Sequence, residues 1–526
     1  MTPSAPGRDA AARDPEDRPL PARVILHTDH AVGTVDDRVF GGFLEHLGRA
    51  IYGGVFDPGG PRADPDGYRT DVLEVLGSLR PALVRWPGGN FVSAYRWRDG
   101  IGPPDRRPRR PDFAWRSVET NRFGLHEFMT LCERLGTAPM LAVNLGTGTP
   151  RDAADLLEYT NLPPGTALAD ERVANGRREP WDVRVWCLGN EMDGPWQAGH
   201  VPAATYAERA GAAAALMKGL DPRIETVVCG SSSRLLPTWL EWDRTVLEHC
   251  WDHVDYVATH RYSGNHHDDT RSFLAEGVAI DEILDAYRGL VSYVQARRRS
   301  RHRVHVAFDE WNVWYREQLM DGGWQEAPAL LEERYNLEDA LVCAQYLHAF
   351  VRHADLVRIA CLAQLVNVIA PVLTRPDGCL VQTIAWPWRM LRAAGGTVAL
   401  RPVVQAPELP TRRGDVPVLD AAATVGPDGR RLLVSLVLRD PHRPAEVTVD
   451  ATGDVVGAAA RGWRVVEARV LTGDPKATNT WEEPGRVAPV ALAVDLDVDR
   501  AGGAAPLRLR VRLPAPAHAV MELEPA

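Results

Sequence analysis

One feature limits the possible folds of this chain more than any other. Between residues 39 and 366, a short apolar run that ends in polar residues occurs eight times, each followed by a longer helix-like or loop segment. Apolar runs of this length predict buried strands, and strands that alternate with helices predict parallel βα units. Eight such units close a (β/α)8 TIM barrel. The predicted strands are residues 39–44, 82–85, 140–143, 183–188, 226–229, 254–258, 304–308 and 357–363.

Beyond residue 400 the pattern changes to alternating apolar and polar residues, with Gly, Pro and Asp between them and few helix signals. This alternation is typical of antiparallel strands in a β-sandwich. We therefore predict a catalytic barrel over residues 39–400 and an antiparallel, jelly-roll-like β-sandwich over residues 401–526. Residues 22–38 are β-like and are expected to join the sandwich, because domain termini often lie close together. Residues 1–21 are predicted to be a disordered tail.

Composition excludes several classes of protein. The 526 residues are 45% hydrophobic and 25% charged, the average for a globular protein, and a formal charge of −10 does not indicate a nucleic-acid partner. No stretch has the roughly 18 consecutive apolar residues of a membrane span, and the N-terminal segment lacks the apolar core of a secretory signal. The seven cysteines lack CxxC spacing, which indicates a reduced compartment. We expect a cytoplasmic protein that binds neither nucleic acid nor membrane.

Polar side chains at the predicted C-terminal strand ends are the candidates for catalysis, because TIM-barrel enzymes have their active sites at that face. Glu191 ends the fourth strand and Glu310 the seventh, so the two carboxylates face one another across the barrel mouth. One such glutamate is as readily explained by a salt bridge or a helix cap, whereas two beside aromatic and amide residues favour a catalytic pair. Glycoside hydrolysis needs one carboxyl group as proton donor and another as nucleophile or base. The other polar residues at these ends are Glu45, Arg85, Asn90, Asn190, His260, Tyr262 and Gln364.

One alternative explanation of the histidines is a metal site. Residues His260, His266, His267, Asp268 and Asp269 have the composition of such a site but not a zinc-binding spacing such as HExxH. A loop with adjacent His-His and Asp-Asp pairs is more often solvated surface. We therefore predict that the chain uses no metal and no cofactor.

Six segments of the chain resemble the α-L-arabinofuranosidases of glycoside hydrolase family 51, which belong to a large clan of barrels with catalytic carboxylates on strands four and seven. The motifs are highly specific, and a sandwich domain after the barrel is also expected in the family. The segments are FGGFLEHLGR (residues 40–49), RWPGGNFVS (85–93), DGIGP (99–103), LGNEMDGPWQ (188–197), FDEWNVWY (308–315) and AQLVNVIA (363–370).

The resemblance implies a role for each matched residue at the reaction centre. Glu191 is implied to be the acid/base, and Glu310 the nucleophile, of a retaining double displacement. Tyr262 is implied to hold the nucleophile, Arg85 to lie beneath it, and His260 to line the reaction centre.

The resemblance also implies how the sugar is bound. Glu45, Asn90 and Asn190 are implied to hydrogen-bond the furanose hydroxyls, with Asn190 at the 2-hydroxyl. Gln364 is implied to line the reaction centre, with His260 and Tyr262. Trp314 lies within a motif, and we predict that it binds substrate. Of the tryptophans in or near the motifs, we expect some to stack on the sugar and the rest to pack in the core, without assigning which.

We therefore expect an exo-acting α-L-arabinofuranosidase that removes terminal arabinofuranosyl units from arabinan, arabinoxylan or arabino-oligosaccharides with retention. The resemblance also implies a homo-oligomer, commonly a hexamer. One alternative is another retaining barrel glycosidase, such as an endoglucanase or β-xylosidase. A second is a non-catalytic sugar-binding protein, which would be expected to have lost one of the two carboxylates. Ser263 departs from the family pattern, and we expect it to affect the pocket lining or the aglycone preference.

Overall fold

The computed structural model describes residues 18–316, 321–453, 462–498 and 507–526. In chain order its strands β1 to β26 are Leu20–His27, Ala31–Thr34, Gly41–Phe43, Leu83–Trp86, Arg110–Asp112, Ser117–Glu119, Ala138–Val143, Val185–Leu188, Glu225–Val228, Tyr256–Ser263, His305–Val313, Val357–Leu362, Val372–Arg375, Gly378–Val381, Val398–Leu400, Val403–Gln405, Glu408–Thr411, Gly414–Pro417, Leu419–Val425, Leu432–Leu438, Ala445–Thr452, Trp463–Thr472, Val490–Ala491, Val494–Val498, Leu507–Leu513 and Ala517–Pro525. Its α-helices α1 to α10 are Thr70–Leu79, Leu125–Leu135, Pro150–Asn161, Ala167–Ala174, Ala203–Leu220, Glu241–Cys250, Thr270–Phe273, Glu276–Arg298, Leu337–Arg352 and Ala385–Leu391.

The eight predicted runs form a closed parallel barrel, as the sequence indicates. Its strands follow one another in the order β3, β4, β7, β8, β9, β10, β11 and β12, and β12 pairs with β3 to close the ring. Every residue of β4 and β8 is buried, because one face of each strand packs in the barrel and the other against the helices. The predicted TIM barrel is therefore confirmed.

Two barrel strands run further than their apolar segments. β10 continues to Ser263 and β11 to Val313, so His260 and Glu310 lie inside strands rather than after them. The pairing of each strand changes register beside these residues. Such bulges re-aim side chains at the rims of barrels, which the simple alternation of a strand does not anticipate.

Two antiparallel-rich sheets form the second domain. One has the order β16, β1, β21, β25, β24, and the other β2, β15, β19, β20, β26, β22, β23. β1, from the start of the described chain, pairs in parallel with β21, whereas the other pairings of these two sheets are antiparallel. Of the predicted tail, residues 1–17 lie outside the described residues.

Helix α9 lies between the barrel and the second domain. All its residues from Leu337 to Val351 are buried, and it packs against β19, β20 and β26. Strands β19 and β20 are therefore covered on both faces and lack the alternation on which their prediction would depend. No helix of the described residues is long and apolar enough to cross a membrane.

Candidate active site

The predicted site residues surround one cavity at the C-terminal ends of the barrel strands. The cavity has a volume of about 570 Å³. Eight of the ten predicted residues line it, and they are Glu45, Asn90, Glu191, His260, Tyr262, Glu310, Trp314 and Gln364. Arg85 and Asn190 do not line it; they lie in a smaller buried space that Glu191 and His260 also border.

Glu191 and Glu310 come together across the barrel as the sequence predicts. One carboxylate oxygen of each, together with a ring nitrogen of His260, all lie within 4.8 Å of one another. Retaining glycosidases separate their carboxyl groups by about 5 to 5.5 Å, whereas inverting enzymes need about 6.5 to 9.5 Å to admit a water. The observed separation favours the retaining arrangement.

Glu310 is buried and held by two donors. Arg85 Nη1 donates to Oε1 at 2.7 Å, and the hydroxyl of Tyr262 donates to Oε2 at 2.9 Å. Burial raises the pKa of the Glu310 carboxyl, and Glu191 also raises it, whereas His260 and Arg85 act in the opposite direction. The two donors fix the Glu310 carboxylate in place, as a preorganised nucleophile requires.

Glu191 is more accessible than Glu310 and has different partners. Its Oε2 accepts a hydrogen bond from the Trp196 indole at 2.7 Å, and His260 Nδ1 lies 3.0 Å from its Oε1. Trp196 is 52% exposed, so this side of Glu191 faces the open part of the cavity. Gly189 and Glu191 both have positive φ, +95° and +43°, and form the tight turn that directs the carboxylate inward.

His260 lies between three carboxylates. Its Nδ1 is 3.5 Å from Glu310 as well as 3.0 Å from Glu191, and its Nε2 is 3.2 Å from Asp309. Although burial lowers the pKa of His260, Glu310, Asp309 and Glu191 together raise it well above the usual value. His260 can therefore be a cation and offset part of the negative charge of the site.

Arg85 connects the nucleophile to the floor of the site. Its Nη1 contacts Glu310, its Nη2 donates to Asn190 Oδ1 at 2.7 Å, and its Nε lies 3.3 Å from Asp309. The predicted set of site residues does not include Asp309, although this residue joins Arg85 to His260. A regular strand would point Asp309 away from Glu310, but the register change in β11 lets both converge on Arg85.

Glu45 and Gln364 form a hydrogen-bonded pair at the opposite wall. Gln364 Nε2 donates to Glu45 Oε2 at 3.2 Å, and its Oε1 accepts from the Glu45 backbone N–H at 2.9 Å. The Trp115 indole donates to Glu45 Oε1 at 3.1 Å, a contact that no sequence pattern indicated. Burial and the nearby Glu310 raise the pKa of Glu45 to about 8, although donors such as the Phe91 N–H oppose the shift.

Three further details concern the walls of the cavity. Asn190 Nδ2 donates to Asn90 Oδ1 at 3.3 Å, which, with Arg85 on its oxygen, fixes the Asn190 amide. A Cβ added to Gly89 would lie 3.0 Å from Glu45 and 3.2 Å from Glu310, so glycine keeps the space between the two carboxylates open. Trp314 packs edge-on against Tyr262, with ring centroids 5.1 Å apart.

The grouping of Glu191, His260 and Glu310 is the one among the described residues that could hold a metal ion. Arg85, Tyr262 and Trp196 already donate to the carboxylate oxygens of this group. In the loop that resembled a metal site by composition, both aspartates have other partners. Asp269 caps α7 by accepting from the Ser272 N–H, and Asp268 pairs with Lys476 at 2.7 Å.

Comparisons with known proteins agree with this geometry. Residues 75–274 match a family model described as the Alpha-L-arabinofuranosidase 1 domain, and residues 309–507 match one described as the Alpha-L-arabinofuranosidase C-terminal domain. An intracellular exo-α-(1→5)-L-arabinofuranosidase of Acetivibrio thermocellus is 42% identical over 459 residues, which cover 86% of this chain and 90% of the relative. An exo-α-(1→6)-L-arabinofuranosidase of Bifidobacterium longum is 43% identical over 487 residues, covering 89% and 91%.

A solved structure extends the match to the whole fold. The family 51 α-L-arabinofuranosidase of Bifidobacterium longum superposes with a TM-score of 0.89 at 36% identity, covering 96% of this chain and 99% of the other. The relatives are similar over nearly their whole length, and five of the six motifs that carry the resemblance contribute residues to one cavity. The chain therefore belongs to the α-L-arabinofuranosidases of glycoside hydrolase family 51.

Proposed function

We propose that this glycoside hydrolase is a retaining, exo-acting α-L-arabinofuranosidase in which Glu310 is the nucleophile and Glu191 the acid/base. One observation carries the proposal. Two carboxylates lie within 4.8 Å of each other, one buried under Arg85 and Tyr262 and the other facing the open side of the cavity. The names of the relatives are the basis for proposing arabinofuranose as the sugar.

The reaction proceeds in two displacements. Glu310 attacks the anomeric carbon while Glu191 gives its proton to the departing glycosidic oxygen, which leaves a glycosyl-enzyme ester and a free aglycone alcohol. Glu191, now a carboxylate, takes a proton from water as the water oxygen attacks the same carbon and releases Glu310. Two inversions give net retention.

The surrounding residues stabilise charge in these steps. Positive charge develops on the sugar ring in each transition state, and the fixed carboxylates of the site stabilise it without rearrangement. When Glu191 loses its proton, His260 at 3.0 Å stabilises the resulting carboxylate. Asn190, fixed by Arg85 and Asn90, binds the 2-hydroxyl, and Glu45 with Gln364 binds the remaining ring hydroxyls.

The substrates, the cellular location and the oligomeric state are also part of the proposal. The enzyme acts on terminal arabinofuranosyl units of arabinan, arabinoxylan or arabino-oligosaccharides. The two relatives above are named for different linkages, so no linkage is assigned. Several relatives are named intracellular, which supports a cytoplasmic location. We also propose a homo-oligomer, such as a hexamer, which the mass in solution will test.

A panel of nitrophenyl glycosides tests the activity. The α-L-arabinofuranoside should be hydrolysed far faster than the β-D-xylopyranoside or the β-D-glucoside, and proton NMR of the first product should show the α anomer. A β anomer as first product would rule out retention. Because Arg85 and Tyr262 already donate to Glu310, activity should survive prolonged treatment with EDTA, and a loss restored by a divalent cation would contradict the metal-free mechanism.

A further inference from the structure

A second groove continues from the catalytic cavity. It has a volume of about 620 Å³ and shares part of the cavity wall, including Tyr262 and Trp314. We call it the arginine groove, because its lining includes Arg234, Arg261, Arg316, Arg412 and Arg413. An exo-acting glycosidase encloses one sugar, so the rest of its substrate must leave the cavity. This groove is placed to receive that remainder.

The positive charge of the groove is only partly balanced. Among the described residues that line it, the carboxylates are Asp269 and Glu276. Glu276 pairs with Arg261 and also accepts from Arg413 Nε at 3.1 Å. Asp269 caps α7, because its side chain accepts a hydrogen bond from the Ser272 backbone N–H. Five guanidinium groups therefore meet two carboxylates in a protein whose formal charge is −10.

Two of the arginines make no ion pair with any residue that the structure describes. Arg316 is exposed and lies over the Trp314 ring, 4.5 Å from its centroid. Arg412 is exposed, and its backbone N–H, not its side chain, is bound, to Ser272 Oγ at 3.0 Å. Arg234 pairs with Glu282 at 3.3 Å, and burial with the neighbouring Arg261 and Arg413 lowers the pKa of Arg234. Arg316 and Arg412 are therefore the cations most available to a ligand.

The second domain supplies two of the cations. Arg412 and Arg413 form the turn between β17 and β18, which the contacts to Ser272 and Glu276 hold against the barrel. Ser263, which departs from the family pattern, also donates to Glu276, at 3.1 Å. The side chain of Ser263 thus helps to position the carboxylate that holds this turn.

We infer that the arginine groove binds a carboxylate on the leaving group, so that the enzyme prefers arabinofuranosyl units attached to a uronic-acid sugar over those attached to a neutral sugar. The inference rests on the proposed function. Guanidinium groups bind carboxylates through paired, charge-assisted hydrogen bonds. Trp314 and Tyr262 offer aromatic surface to a sugar ring at the groove entrance. A cleft lined by one sign of charge also concentrates ligands of the other sign.

Two arabinofuranosyl disaccharides that differ only in the aglycone sugar, glucuronate in one and glucose in the other, test the inference. At low salt we expect kcat/KM to be about tenfold higher for the glucuronate compound, the usual size of one charge-assisted contact. Sodium chloride at about 1 M should remove most of the difference. Arg412→Gln should reduce the preference to about threefold, while hydrolysis of the nitrophenyl arabinofuranoside stays within about twofold of wild type.

Arg430→Gln is the matched control. Arg430 is an exposed arginine in the turn between β19 and β20, outside the groove, and its loss changes the net charge equally. It should keep the tenfold preference. Equal kcat/KM for the two disaccharides, or an equal loss of preference in both variants, would overturn the inference.

The failure of the inference can be separated from failure of the proposed function. Inactivity toward the disaccharides and the nitrophenyl arabinofuranoside would refute the proposed function, not the groove. The two disaccharides would then be titrated by calorimetry into Glu310→Ala, which retains every groove residue. Tighter binding of the glucuronate compound would support the groove, and equal binding would refute it.

Discussion

Two buried charge clusters of similar composition lie in different parts of the molecule. The site cluster, at the barrel mouth, is Arg85, Glu191, His260, Asp309 and Glu310. The interface cluster, where helix α9 meets the second domain, is His348, Arg352, Asp420, Ser435, Arg439 and His518. Both combine arginine, histidine and carboxylate groups, and Glu191, His260 and Glu310 of the first line the catalytic cavity.

The interface cluster is centred on the Asp420 carboxylate, and a second carboxylate, Asp281, pairs with Arg352 from the other side at 2.7 Å. Asp420 accepts from His348 Nδ1 at 2.7 Å and lies 3.1 Å from Arg352 and 3.0 Å from Arg439. Although burial raises the pKa of Asp420, Arg352 and Arg439 lower it far below the usual range. Burial lowers the pKa of His348, and that of His518 more strongly.

The site cluster has the opposite balance, because three carboxylates share one arginine. As a result, the pKa of His260 is raised, whereas those of His348 and His518 are lowered. The same residue type therefore responds to the local ratio of cations to carboxylates. An excess of negative charge suits a site that must stabilise a cationic transition state, while a satisfied cluster suits a domain interface.

The largest expected effect comes from removing the nucleophile. Glu310→Ala should lower kcat by about 10⁴-fold or more on every substrate, because no covalent intermediate can form. Steady-state assays on nitrophenyl and natural arabinofuranosides measure this. Mass spectrometry of wild type trapped with a slow fluorinated substrate should place the sugar on Glu310, and a label on another residue would contradict the role.

Removing the acid/base should have an effect that depends on the leaving group. Glu191→Ala should lower kcat/KM on natural substrates by about 10³-fold, within the usual range for general acid catalysis. A substrate with a good leaving group needs no proton, so its first step should be spared. Azide should then partly restore turnover and give an arabinofuranosyl azide. Full activity on oligosaccharides would show that Glu191 is not the acid.

A change in the interface cluster should separate stability from catalysis. Asp420→Asn leaves Arg439 buried without its carboxylate, whereas Arg352 keeps Asp281, and this should lower the free energy of unfolding by about 3 kcal/mol. Urea unfolding monitored by fluorescence measures this. The kcat of the folded variant should be unchanged, since the described partners of Asp420 are His348, Arg352 and Arg439, and none of them belongs to the site cluster. A large fall in kcat with normal stability would show that the two clusters are coupled.

A small change beside the site cluster should lower kcat and leave stability nearly unchanged. Tyr262→Phe removes the hydroxyl that donates to Glu310 at 2.9 Å, a hydrogen bond to a charged group. We expect kcat to fall by about tenfold to a hundredfold. The thermal midpoint should change little, because the ring still packs against Trp314. An unchanged kcat would mean that Arg85 alone holds the nucleophile.

The smallest effect is in the pH dependence of stability. The folded-state pKa of His518 lies below its unfolded value of about 6.5, so below that pH the unfolded state binds a proton that the native state does not. Stability is therefore lost as pH falls below about 6.5. His518→Gln should reduce that loss by about 1 kcal/mol at pH 5.5. Urea unfolding at neutral pH and at pH 5.5 measures the difference. Identical pH profiles would contradict the buried neutral state of His518.

The barrel could be predicted because its strands are covered on both faces and so appear as apolar runs. The second domain could be predicted only in part. Strands such as Ala445–Thr452 and Leu507–Leu513 have one solvated face, and their alternation is visible in the sequence. Leu419–Val425 and Leu432–Leu438 pack beneath helix α9, so the pattern that marks the other strands is absent from them.

The site was predictable where chemistry and strand position coincide, as for Glu191 and Glu310. Asp309 was not included, because regular alternation points it away from its neighbour and only the bulge in β11 brings both to Arg85. Trp115 lies between the short strands β5 and β6, where no pattern predicts contact with Glu45. The arginine groove depends on a turn of the second domain that lies more than a hundred residues further along the chain than its barrel partners, and sequence spacing does not reveal such a meeting.

The position of β1 bears on how the chain is synthesised and assembled. Its partner β21 lies more than four hundred residues later, and the Arg23 to Asp450 contact joins positions 427 residues apart. On the ribosome, all eight barrel strands emerge before β1 can pair, so the barrel has the opportunity to fold before the five-stranded sheet is complete. A fragment that begins at the first barrel strand would therefore lack an internal strand of that sheet. Such a fragment would expose the edges of β16 and β21 to other chains.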